Sequence, residues 1–194
     1  RKIVVIGVFS AIAAILMVLE FPVPFAPSFY GLDFSELPAL IGAFAYGPVA
    51  GVMIEFCKIL IKLVLKPSST AFVGELANFS ISCMLVLPAS VIYLFKKSRK
   101  QAILGTVVGT LIMTAFGSCF NAIYLLPKFS ELYGIPLDAI IGMGTAINPA
   151  IHSISGLVLM CVVPLNLLKG GLVSLITILV YKKLSPILKA AHKQ

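Results

Sequence analysis

The side chains able to do binding chemistry stand mostly in short i, i+3 pairs inside apolar runs. Asn166 and Lys169 are three residues apart and fall on similar faces of a helix. An amide both donates and accepts hydrogen bonds, and a lysine donates from a full charge. No other charge lies between Ala139 and Lys182. Burying such a charge at membrane depth is costly, so it tends to serve a function; the structural alternative is a lysine that snorkels to an interface. Asn121 and Tyr124 repeat the spacing, with ligand contact and an interhelical hydrogen bond equally open. In Gly74-Glu75-Leu76-Ala77-Asn78-Phe79, Glu75 suits a first helical turn through the helix dipole. Asn78 sits deeper and is the better pocket candidate.

Further acids and bases have structural readings beside the functional ones. Asp33 and Glu36 flank Phe34-Ser35, and Asp33 or Ser35 is expected to cap the helix that follows. Lys58, Lys62 and Lys66 recur at i, i+4, i+8 on one face, with Glu55 three residues before Lys58. An intramembrane ion pair and a ligand- or water-facing stripe are both open.

Enzyme chemistry finds little support. No Ser-His-Asp set, paired carboxylates or metalloprotease spacing occurs, and His152 and His192 lack a companion ligand. No P-loop motif occurs, so a transporter of this kind draws its energy from an ion gradient or another subunit. The four cysteines, Cys57, Cys83, Cys119 and Cys161, stand singly in apolar runs, which argues against a zinc or redox site. No catalytic residue, metal or cofactor is expected.

The elements that must hold these residues are membrane helices. Of 194 residues, 60% are hydrophobic and only 11% charged, against roughly 25% charged in soluble domains. Mean hydropathy is +1.09. Apolar runs this long fit helices rather than the alternating strands of a barrel. The net charge of +8 reflects Lys and Arg at the ends of apolar runs, as cytoplasmic loops hold them, and not a nucleic-acid surface. Ile3–Leu19 imitates a signal peptide, but Glu20 and the prolines after it do not resemble a cleavage site, so it is taken as a first span.

Positive clusters at Arg1-Lys2, Lys96–Lys100 and the tail (Lys182, Lys183, Lys189, Lys193) mark one side, so an even number of spans must separate them. A span takes about 20 apolar residues. Gly47-Pro48 divides the 34–65 region in two. The expected fold is an all-α integral membrane protein, a single domain over 1–194. Its six transmembrane helices cover approximately 3–19, 35–46, 49–65, 76–95, 102–127 and 160–182, with both termini cytoplasmic. Phe21–Leu37 and Lys128–Gly156 are too apolar for disorder and are expected to be ordered lids over an outward-facing ligand pocket. Gly7, Ala11, Ser10 and Ala14 form a small-residue stripe on the first span, able to pack in the bundle or dock a partner.

Four segments in order, FPVPFAPSFYGLDFSELPALIGAFAYGPVAG (21–51), GELANF (74–79), NAIYLLPKF (121–129) and VPLNLLKG (163–170), carry a family resemblance across essentially the whole chain. The sequence resembles the substrate-binding S components of energy-coupling factor (ECF) vitamin transporters, in particular those specific for riboflavin. The resemblance implies a six-helix protein of the bacterial cytoplasmic membrane that captures its vitamin from outside and hydrolyses no ATP. It implies docking on a transmembrane T component carrying two cytosolic ATPase subunits, through the small residues Gly7, Ser10, Ala11 and Ala14. It implies riboflavin as transported ligand, with polar contacts from Asn121, Asn166 and Lys169 and further contributions from Asn78, Leu32, Asp33 and Phe34. Phe34, Phe79 and Tyr124 would cover the ring faces. Alternatives are another vitamin or FMN, and an intramembrane lipid-processing enzyme, for which Glu55 with Lys58–Lys66 lacks an acid–base pair.

Overall fold

The computed structural model describes the backbone of residues 2–191 and the side chains of 2–180 and Lys183. Arg1, His192 and Lys193 lie outside the described residues, as do the side chains of Lys182 and Lys189. Helix α1 (Lys2–Val18) leads into a loop closed by two short antiparallel strands, β1 (Phe21–Pro22) and β2 (Gly31–Leu32), pairing Phe21 with Leu32. Then follow α2 (Glu36–Tyr46), α3 (Pro48–Leu65), α4 (Val73–Phe95) and α5 (Arg99–Phe120). The latter continues through a π turn at Asn121–Leu125 into α6 (Leu126–Tyr133). Helix α7 (Leu137–Thr145), α8 (Ile154–Leu157), a second π turn (Val158–Val162) and α9 (Val163–Ala191) complete the chain.

Among the described residues, three helical stretches are long and apolar enough to cross a membrane: Val73–Phe95, Arg99–Tyr133 and Ile154–Val180. Helices α1 and α2 are apolar but shorter. The helix boundaries expected over 3–19, 35–46, 49–65 and 76–95 agree with the structure to within three residues. Beyond residue 100 two expectations are corrected. The helix expected at 102–127 runs on to Tyr133, and the one expected at 160–182 begins at Ile154 and extends to Ala191. The 128–156 segment, expected to be a loop, also contains α7.

The π turns explain how those helices run on through prolines. Pro127 and Pro164 each follow a π turn by two residues. A proline ring clashes with the carbonyl four residues back, and here those carbonyls, on Ile123 and Met160, lie inside the widened turns.

Local signals set the other joints. Gly47, with φ +93°, is the single residue between α2 and α3, and its N–H closes α2 on the Ala43 carbonyl at 2.8 Å. Ala71 and Phe72 adopt left-handed conformations just before α4. The hydroxyls of Ser68 and Thr70 hold this turn by accepting the Phe72 and Gly74 amides at 2.9 and 3.0 Å.

The bundle packs tightest between α4 and α5. A Cβ at Gly105 would lie 2.5 Å from the Ala89 carbonyl oxygen, and one at Gly109 2.5 Å from that of Leu85. Gly105 and Gly109 form a G-x-x-x-G pair, which lets two helices approach backbone to backbone. The small-residue stripe on α1 divides in two. Ser10 and Ala14 are buried in the bundle, which corrects their expected place on a docking surface. Gly7 is exposed with no atom near its Cβ position, and Ala11 is half-buried.

Candidate functional site

A cavity of about 500 Å³ opens at the end of the bundle opposite the Lys96–Ser98 turn, within the ~300–1,000 Å³ typical of small-molecule sites. Its walls come from the α1 end, the β1–β2 loop, the α3 end, the α4 start, the α5–α6 junction, α7 and the α9 start. The two loops expected to act as lids therefore both contribute, the second through Ile140 and Met143 of α7.

One side of the cavity is charged. Lys169 on α9 reaches Asp33 Oδ2 at 2.9 Å and Glu36 Oε1 at 2.7 Å. Ser82 on α4 donates to the same Glu36 oxygen at 2.6 Å. This network joins the first loop, α2, α4 and α9 directly beneath the cavity. Burial alone would raise the Asp33 carboxyl, but Lys169, Lys58 and its bond from Ser35 hold it below the ordinary carboxylate range. The capping expected at Asp33 or Ser35 takes another form. Ser35 occupies the N-cap position without a side-chain cap bond, Asp33 Oδ1 accepts the Ser35 N–H at 2.8 Å, and Ser35 Oγ accepts from Lys58 at 3.0 Å.

The lysine stripe of α3 is a ladder of ion pairs. Lys58 meets Glu55 at 2.5 Å with both side chains fully buried. Lys62 meets Glu75 at 2.5 Å and Lys66 meets Glu20 at 3.3 Å. Ser68 and Thr70 donate to the other Glu75 oxygen at 2.8 and 3.1 Å. Glu75 thus sits in the first turn of α4, as expected, and also fastens the α3–α4 connection. Lys62, Lys66, Glu75 and Glu20 all line the cavity, so the ion-pair and ligand-facing readings of the stripe coexist at its upper part.

The amides behave differently from one another. Asn121, placed by the π turn, is satisfied within the protein. Its Oδ1 accepts from the Tyr30 hydroxyl at 2.8 Å and its Nδ2 donates to the Gly117 carbonyl at 2.7 Å. Burial, with a smaller contribution from Cys161, pushes the Tyr30 phenol above its ordinary value and keeps it a donor. Asn166 Nδ2 and Asn78 Oδ1, by contrast, are buried without a partner. Both residues line the cavity. They leave one donor and one acceptor unpaired beside it, and such groups are costly unless something pairs them.

Of the expected ligand-binding residues, Asn78, Asn121, Asn166, Lys169 and Asp33 come together around the cavity. Leu32, Phe34, Phe79 and Tyr124 stand outside its lining. Leu32 packs on the core cluster at the cavity end and Phe34 on the α2–α4–α5–α9 core. Phe79 meets Phe56 edge-on at 6.2 Å, and Tyr124 packs on Phe120 at 5.1 Å. The aromatic wall is formed instead by Phe29, Tyr30, Phe129 and Tyr133. Ring centroids lie 4.6 Å apart for Phe29–Tyr30, 6.2 Å for Phe29–Phe129 and 5.8 Å for Phe129–Tyr133. Their signal was present in the two aromatic-bearing outer segments; which rings turn inward depends on the strand pair and the π turn.

Comparison with known proteins accords with this arrangement. Residues 1–181 match the family model of the ECF transporter substrate-specific component. Riboflavin transporter RibU of Staphylococcus aureus is 33% identical over 97% of this chain and 93% of its own length. Riboflavin transporter FmnP of Bacillus subtilis is 32% identical over 96% and 93%. A solved structure of the S component of a bacterial ECF transporter superposes with a TM-score of 0.74 at 35% identity, covering 97% of each chain.

Proposed function

This chain belongs to the family of ECF transporter substrate-specific components, and from that premise we propose that it captures riboflavin in the cavity described above. The family is a transporter's binding component and not an enzyme. The observation that carries the ligand assignment is the unpaired amide couple: Asn166 Nδ2 is a donor and Asn78 Oδ1 an acceptor without a protein partner, on two residues that line one cavity. The imide edge of an isoalloxazine ring presents carbonyl oxygens and an N–H, the complementary set. Lys169 adds a charged donor, Phe29, Tyr30 and Phe129 supply ring contacts, and the half-polar mouth with Ser69, Thr70 and Lys66 suits a hydroxylated side chain. The names of the relatives from S. aureus and B. subtilis favour the same ligand.

The topology we propose has six passes, with α1, α2, α3, α4, α5–α6 and α8–α9 as the spans of a single domain. Helix α3 counts as a span although its charges keep it off a purely apolar criterion, because Glu55 and Lys58 are neutralised inside the bundle. Lys2, Lys96, Lys97, Arg99 and Lys100 gather at the end away from the cavity, which supports a cytoplasmic location for that end and an outward cavity in the bacterial cytoplasmic membrane. The exposed α1 face around Gly7 and Ala11 would meet the T component of a module powered by two ATPase subunits.

An absorbance spectrum of detergent-purified protein tests the ligand. Flavin bands that persist through purification, with the pigment released intact on denaturation, are the expected result. A colourless protein that gives no saturable quenching of added riboflavin would overturn the assignment. FMN as competitor separates the phosphorylated alternative.

A further inference from the structure

A groove of about 310 Å³ runs between α5 and α9 and shares no lining residue with the ligand cavity. Both helices belong to stretches long and apolar enough to cross a membrane, so the groove opens on hydrocarbon rather than water. Leu111 and Leu175 stand exposed on its two edges. Thr106, Thr110 and Ser174 form a buried floor whose hydroxyls are paired within the protein. Thr106 donates to the Ile103 carbonyl at 3.0 Å, Thr110 donates to the Thr106 carbonyl at 2.8 Å, and Ser174 lies 3.4 Å from the Thr110 hydroxyl. Gly171 deepens the groove, with no atom within 4 Å of its Cβ position. A gap of this kind left unfilled forfeits packing contacts. A flexible hydrocarbon chain is the occupant that fits it.

Charge at one end of the groove specifies the chain further. Helices α5 and α9 run antiparallel: a Cβ at Gly117 would touch Asn166, and one at Gly170 would touch Thr110. Continued towards the start of α5, this register brings Arg99 and Lys100 level with Lys183 on α9. All three are exposed. The chain has seven acids, and none falls between Glu75 and Glu131 or after Asp138. Neither helix therefore offers these cations a partner, and Glu75 of α4 sits at the opposite end of the bundle. The lengths agree as well. Leu111 stands twelve residues beyond Arg99, about 18 Å at 1.5 Å per residue. That is close to one leaflet of a hydrocarbon core about 30 Å thick. Basic pockets between membrane helices suit the headgroups of anionic lipids.

We propose that the α5–α9 groove binds an anionic phospholipid, with one acyl chain between Leu111 and Leu175 and the phosphate at Arg99, Lys100 and Lys183. The inference rests on the proposed membrane passes and holds whichever vitamin fills the cavity.

The chain contains no tryptophan, so a single introduced one can report lipid contact. Leu179→Trp places it on an exposed position of α9 beside the groove. Met53→Trp, exposed on α3 near a joint without basic residues, is the control. Each full chain is reconstituted in phosphatidylcholine vesicles containing rising fractions of dibrominated phosphatidylglycerol or dibrominated phosphatidylcholine, which quench on contact. Circular dichroism checks the helical fold. Half-quenching of Leu179→Trp is expected at a phosphatidylglycerol fraction about fivefold below that for Met53→Trp, the factor one basic residue contributes at a membrane surface. The brominated phosphatidylcholine should show no such difference. Replacing Arg99, Lys100 and Lys183 together with Gln should abolish the preference, and so should Gly171→Leu, which fills the groove and keeps the charges. Equal quenching at both reporters, an equal effect of the two lipids, or a preference that survives either variant overturns the proposal. Equal quenching in the chain alone, with Leu179→Trp shielded only once the T component is added, would make the groove a docking face for a partner helix and also overturn it. Neither reporter quenched by either lipid would overturn the membrane passes as well.

Discussion

Lys169 and Asp33, 136 positions apart in sequence, meet at 2.9 Å and tie the last long helix to the segment between β2 and α2. Glu36 lies 2.7 Å from the same ammonium. Replacing Lys169 with Met would leave two carboxylates buried without their base. Removing one partner of a buried pair costs about 3–5 kcal/mol. Lys169→Met is expected to lower the melting temperature in detergent and weaken flavin binding together, measured by thermal unfolding and fluorescence quenching. A variant with unchanged stability would mean that the pair contributes nothing to the fold.

The Asp33 carboxyl is held below its ordinary range, and that fixes the sign of a pH effect. Its folded value lies under the unfolded one, so its contribution is fully present above the unfolded value of about 3.9. The contribution is lost as pH falls through the folded value. Melting temperature against pH should therefore be steeper below about pH 4 in the unaltered protein than in Asp33→Asn. Asp33→Asn should be the less stable of the two at neutral pH, and parallel curves would contradict the assignment.

The three asparagines separate binding from stability. Asn166 and Asn78 each hold a buried amide atom without a partner, whereas Asn121 is bonded to Tyr30 and to the Gly117 carbonyl. Asn166→Ala and Asn78→Ala should each weaken flavin binding by about 1–3 kcal/mol and leave the unliganded protein as stable as before. Asn121→Ala strands a buried phenol and should destabilise the unliganded protein. Paired titrations and melting curves check all three; equal loss of stability in the set would remove the distinction.

Most of the helical plan was legible in the sequence because membrane helices announce themselves through long apolar runs and cationic ends. Asn166, Lys169 and Asn78 stood out as pocket candidates because a polar group in such a run has few other purposes; Asn121 and Asp33 were assigned to the pocket only by the family resemblance. The unread parts depend on tertiary geometry. The i, i+3 spacing of Asn121 and Tyr124 suggested one shared face, but the π turn widens the helix at that point and Tyr124 packs on Phe120 instead. The partners of Lys169 lie far off in sequence. Prolines and glycines in 142–164 suggested a loop, yet α7 forms and the second π turn carries the helix past Pro164. The G-x-x-x-G pair at 105 and 109 was present as a motif, and only the contact distances reveal its use.

That close approach gives a stability prediction. A methyl group at Gly109 would stand 2.5 Å from the Leu85 carbonyl oxygen, which is backbone and cannot swing aside. Gly109→Ala should therefore force α4 and α5 apart and lower stability by about 1–3 kcal/mol. Gly142, in α7, has open space at its Cβ position, so Gly142→Ala should be neutral or stabilising through helix propensity. Comparing the two melting temperatures isolates helix contact from propensity.

The split stripe on α1 makes the docking proposal separable from packing. Ala14 is fully buried, whereas Ala11 is half-buried beside the exposed Gly7. A tryptophan at 14 must overpack the α1–α2–α3 contact, so Ala14→Trp should reduce both stability and flavin binding. A tryptophan at 11 can turn outward, where small residues would otherwise let a partner helix approach closely. Ala11→Trp should therefore bind flavin as before but fail to assemble with the T component, judged by co-purification of the complex and by uptake in membrane vesicles. Intact assembly with Ala11→Trp would move the docking face away from this helix. Loss of flavin binding would mean that Ala11, too, is a packing residue.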